Sequence, residues 1–60
     1  MTRSAILNIQ ARAIAANDHE LRHACWAALG YDSRVAFMPA TPWQVERGLE
    51  VCMRAMERAS

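Results

Sequence analysis

The sixty-residue sequence contains no lysine, only two glycines, two prolines and two cysteines, and one each of phenylalanine and tyrosine. Each scarcity removes a class of protein. Two cysteines cannot build the disulfide framework of a small secreted scaffold. Two isolated glycines, Gly30 and Gly48, leave no glycine-rich loop to cradle phosphate. Asn8, Gln10 and Arg12 interrupt the stretch around Ile6, Leu7, Ile9 and Ile14. No unbroken apolar run therefore reaches the roughly 7–15 residues of a signal peptide or the roughly 20 of a membrane span. A cytoplasmic chain with reduced thiols and no membrane association is expected. At sixty residues one domain or less is expected, not a multidomain enzyme. Seven arginines against six acids, a formal +1, exclude a highly charged disordered tail and supply no overall basic footprint for nucleic acid. Arginine without lysine suits planar, bidentate contacts, and codon composition in a GC-rich genome yields the same bias.

What is present is mostly small. Thirty-two residues are hydrophobic, but twelve of them are alanine and only eleven are Ile, Leu, Val or Phe. A chain this short buries only about 60% of its unfolded surface, and each absent methylene forfeits roughly 0.8 kcal/mol of burial. Chains of this size usually recruit disulfides, a metal or another subunit. A homo-oligomer, or completion of the fold by a protein partner, is the expectation.

Periodicity and caps predict an all-α fold, a single small domain over residues 1–60. It is a bundle of three principal helices at about 4–16, 18–29 and 42–58, with a short helical turn or loop at 31–41. In the first helix Ile6, Leu7, Ile9, Ala13 and Ile14 share one broad arc, which also contains Gln10. Asn17 or Asp18 caps the second helix, and from Asn17 the carboxylate of Glu20 stands at the capping-box position. Leu21, Ala24, Cys25, Ala28 and Leu29 form its stripe, and Gly30 ends it. Pro39 pushes Met38 out of helical geometry. Residues 34–38 are compatible with extended backbone, but a short helix or turn is preferred, with Val35 and Phe37 plugging the end of the core. Thr41-Pro42-Trp43-Gln44 is a strong helix start, with a capping Thr, Pro at N1 and Gln at N3. Val45, Gly48, Leu49, Cys52, Met56 and Ala59 then share a face with Met53 at its edge, and Gly48 is expected to admit a neighbouring helix.

Few residues suggest chemistry. His19-Glu20-Leu21-Arg22-His23 spells H-E-x-x-H, in which two histidines hold zinc and the glutamate activates water. No third ligand accompanies it, and helix capping already explains Glu20. No metal, cofactor or catalytic residue is expected, with zinc binding through His19 and His23 a remote alternative. Cys25 and Cys52 lie on apolar stripes and read as small core hydrophobes. Trp26 falls off its helix's stripe beside His19, Arg22 and His23, and Trp43 projects near Arg47. Each tryptophan has an arginine four residues away, a spacing that suits a cation–π contact. A partner-binding surface of His19, Arg22, His23, Trp26, Trp43 and Arg47 has the composition of a binding hot spot.

The expected function is a non-enzymatic protein-interaction module. Lysine-free frames of this size suit an accessory gene of a bacteriophage or mobile element, whose product would inhibit or modulate a host complex such as a CRISPR effector or RNA polymerase. The alternative is a helix-turn-helix-like DNA-binding regulator using helix 42–58. Glu46, Glu50 and Glu57 oppose it, since they would meet phosphates, and the Gly30–Thr41 connection exceeds the usual 3–4-residue turn.

Overall fold

Side-chain and glycine caps frame the computed structural model, which describes residues 1–59. Helix α1 runs Arg3–Ala15 and opens on Thr2, whose Oγ1 accepts from the Ala5 amide at 3.2 Å. It closes at Asn17, which takes the left-handed conformation at φ 58°. Asn17 N–H donates to Ile14 O, and Asp18 N–H to Ala13 O, the bond pair of a Schellman motif. Asp18 then caps α2, His19–Ala28, by accepting from the Leu21 amide at 3.2 Å. Asp18 rather than Asn17 is therefore the cap. Glu20 stands one position short of a capping box and favours the helix through its charge in the first turn. Gly30, at φ +103°, ends α2 as expected.

Residues 31–41 give the expected turn or loop of the all-α bundle a more defined form. They form an antiparallel hairpin of β1, Tyr31–Asp32, and β2, Met38–Pro39, with Tyr31 opposite Pro39 and Asp32 opposite Met38. Pro39 holds Met38 extended. The Asp32 carboxylate accepts from the Arg34 amide at 3.1 Å, and Met38 N–H closes a turn on Val35 O at 3.0 Å. The central residues of that turn, Ala36 and Phe37, both have positive φ, 49° and 57°. This is the backbone of a type I′ turn, usually built from Asn-Gly. Val35 and Phe37 do not plug the core: both are exposed, Phe37 at 51%.

Helix α3, Pro42–Ala59, begins with the expected capping box. Gln44 N–H donates to Thr41 Oγ1 at 3.3 Å, and Thr41 N–H donates to Gln44 Oε1 at 2.7 Å. The Gln44 amide also donates to Asp32 at 2.8 Å, tying the hairpin to α3.

The core is small. Ile6 and Ile9 of α1 meet Cys25 of α2 and Cys52 of α3, with Leu21, Ala28, Leu29, Leu49 and Ala55 packed around them. Gly48 is buried where α3 crosses α2, and a Cβ there would lie 2.5 Å from Ala24 O. Leu7, Ile14 and Met56, expected on core stripes, are exposed, Ile14 at 60%. The contact between α1 and α3 is slight, which leaves Leu7 and Ile14 on the flank of the α1 stripe to solvent. Gln10 is buried instead, on the arc where the sequence places it. The side chain of Ala59 lies outside the described residues.

Candidate functional site

Small residues create the main groove. Ala24 and Ala27 of α2 face Gly48 and Val51 of α3, and an open groove of about 520 Å³ runs between the two helices and the hairpin. Volumes of roughly 300–1,000 Å³ are typical of binding clefts. Its polar rim includes His23, Asp32, Arg34, Gln44, Arg47 and Arg58, and Trp43 stands beside them.

Trp43 is 71% exposed. It occupies the first turn of α3, so the capping box that starts the helix also fixes where its ring projects. Arg47, Arg54 and Arg58 follow at i+4, i+11 and i+15, on the same helical face. Glu46, Glu50 and Glu57 form the neighbouring strip. Arg47 contacts Glu50 at 3.4 Å, an exposed pair worth only about 0–1 kcal/mol.

The acids at the groove are engaged within the chain. Glu20 pairs with Arg34 at 2.5 Å. Asp32 accepts from the Arg34 amide and from Gln44, and Asp18 caps α2. His23 shares a hydrogen bond between Nδ1 and Ser33 Oγ, joining α2 to the hairpin loop. Among the described residues no ion pair engages Arg54 or Arg58. The groove thus offers an uncovered indole, the Arg58 guanidinium and an Arg47 held by an exposed Glu50, while its carboxylates already have partners.

Three of the six sequence candidates, His23, Trp43 and Arg47, come together at this groove. The other three do not line it. Trp26 is half-buried beneath the hairpin, edge-on to Tyr31 at 6.1 Å and to Phe37 at 4.9 Å. Its ring contacts among the described residues are therefore aromatic, where the spacing suggested Arg22. Arg22 is half-buried and His19 exposed. The H-E-x-x-H residues are dispersed in role: Glu20 pairs with Arg34 and His23 bonds Ser33. Among the described residues no three metal-ligating side chains cluster, and no helix is long and apolar enough to cross a membrane. Sequence reasoning did not single out Arg34 and Asp32 as site residues, because only the hairpin brings them to the helices.

The chain matches no protein-family model, no curated protein and no solved structure.

Proposed function

We propose that this chain is a non-enzymatic protein-interaction module. Its binding face is the groove between α2, α3 and the hairpin, and its ligand is an acidic segment of a partner protein that lays an apolar side chain on Trp43. The observation carrying this reading is the pairing at the groove of an indole 71% exposed with arginines, beside carboxylates that are already bonded. Tryptophan and arginine are the residues most enriched where binding energy concentrates, and guanidinium groups bind carboxylates bidentately. Such a module acts by occupying a partner's surface, as an accessory protein of a phage or mobile element modulating a host complex would. Glu46, Glu50 and Glu57 lie outside the groove lining, where a DNA backbone running along α3 would meet them and a short segment held in the groove would not.

Self-association is a second reading, favoured by the exposed Leu7 and Ile14 on the outer flank of α1. It leaves the groove open to another protein.

Affinity capture from a host lysate tests the first reading with three folded variants. Trp43→Ala and the double Arg47→Glu, Arg58→Glu are expected to lose the protein that the wild type retains, and Ile14→Ser to keep it. A partner retained by Trp43→Ala overturns the groove reading. Salt-sensitive binding of duplex DNA, abolished by the double charge reversal, would transfer the face to the DNA-binding alternative.

A further inference from the structure

The two cysteines are twenty-seven residues apart in sequence, yet their Sγ atoms lie 3.6 Å apart in the centre of the core. Both are 0% exposed and carry free thiols. They belong to different helices, and the helices are in backbone contact beside them. Gly48, one turn before Cys52, would place a Cβ 2.5 Å from Ala24 O and 2.7 Å from Ala28 N, residues flanking Cys25. A disulfide requires sulfurs at about 2.05 Å, so the pair must close by roughly 1.5 Å.

We propose that Cys25 and Cys52 form a peroxide-driven redox pair, closing an internal disulfide that locks α2 to α3.

The chemistry balances with a hydroperoxide as oxidant. The thiolate of one cysteine, here written as Cys52, attacks one peroxide oxygen and the O–O bond breaks; with hydrogen peroxide, that cysteine becomes a sulfenic acid and hydroxide leaves, taking up the proton it had released. The Cys25 sulfur then attacks Cys52 Sγ, the S–O bond breaks, and the departing oxygen leaves as water with the Cys25 proton. Two thiols and one hydrogen peroxide yield one disulfide and two waters. The S–H···S contact couples the two groups, so that as one sulfur ionises the other stays a thiol and donates to it; the bond with Cys52 and burial both raise the pKa of Cys25. At 0% exposure neither sulfur is open to a water-sized molecule, so the oxidant enters as the core opens, and peroxide needs a smaller opening than a bulky disulfide does.

The consequence reaches the groove. Ala24 and Val51, the chain neighbours of Cys25 and Cys52, both line it, so the crosslink would fix its two helical walls. The proposal does not depend on what the groove binds.

Intact mass spectrometry of the folded protein after hydrogen peroxide treatment tests it, with peptide mapping and a thermal melt of the same sample. The expected product is a monomer that has lost two hydrogens, whatever oxygen its exposed methionines take up, with Cys25 joined to Cys52, a higher melting temperature, and reversal of the link by dithiothreitol. Cys25→Ala should give no such product, and a peroxide-treated wild type held in urea controls for reagent activity. Thiols that persist in the folded wild type, oxygen gained on the cysteine peptides without loss of two hydrogens, or linkage only between chains would each overturn the proposal.

Discussion

Gly48→Ala tests the packing beneath the groove. Taken alone, the substitution should help α3, since alanine exceeds glycine by about 1 kcal/mol in a helix interior. The structure reverses that expectation. The new methyl would sit 2.5 Å from Ala24 O, 2.7 Å from Ala28 N and 3.0 Å from the Ala27 methyl. Two of these neighbours are backbone atoms of α2, which cannot rotate aside, so the helices must part by roughly 1 Å to restore van der Waals distance. Overpacking of this kind costs about 1–3 kcal/mol, and rigid neighbours place it toward the upper end. Subtracting the helical gain leaves a net loss of about 2 kcal/mol, from a total on the order of 3–9 kcal/mol for a chain of this length. Urea unfolding followed by far-ultraviolet circular dichroism measures it. A lower midpoint at similar slope is expected; a midpoint equal to or above the wild type would refute the close crossing of α2 and α3.

The two tryptophans should separate cleanly. Trp26→Ala loses both aromatic contacts and is expected to destabilise by about 2–3 kcal/mol, whereas Trp43→Ala should change the unfolding free energy by less than about 0.5 kcal/mol. Equal effects would contradict their different burial. Ala36→Gly relieves one of two consecutive left-handed non-glycine residues and should raise stability by about 0.5–1 kcal/mol in a thermal melt; a loss would refute the type I′ turn. Thr41→Ala removes half of the capping box and should cost about 1 kcal/mol by urea titration.

The helices were legible because their signals are local. Thr41, Pro42 and Gln44 announce α3 with a bond pattern that needs no knowledge of the rest of the chain, and Gly30 ends α2 for the same reason. Asn17-Asp18 was ambiguous because both residues suit either role; the structure uses one to end α1 and the other to begin α2. The hairpin escaped because its turn residues, Ala36 and Phe37, are not those a type I′ turn normally takes, and pairing from Tyr31 to Pro39 is a tertiary fact. The groove was half legible. Helical spacing located Trp43 and Arg47, but Asp32 and Arg34 join it only through the fold. Spacing alone also could not show that Trp26 turns under the hairpin while Trp43 stays in solvent. Ile14 and Leu7 fit an amphipathic arc wider than the face their neighbours cover.

The central claim is that the Trp43 groove receives an acidic, apolar-tipped segment. Amide chemical-shift mapping on ¹⁵N-labelled protein tests it, using a peptide of alternating glutamate and leucine with its lysine-for-glutamate counterpart as control. The account predicts saturable shifts at the Trp43 indole and at the backbone of Gln44, Arg47, Gly48, Val51, His23 and Ala27, for the glutamate peptide alone and weakening with salt. Shifts concentrated on Leu7, Ala11 and Ile14, or equal responses to both peptides, would contradict it.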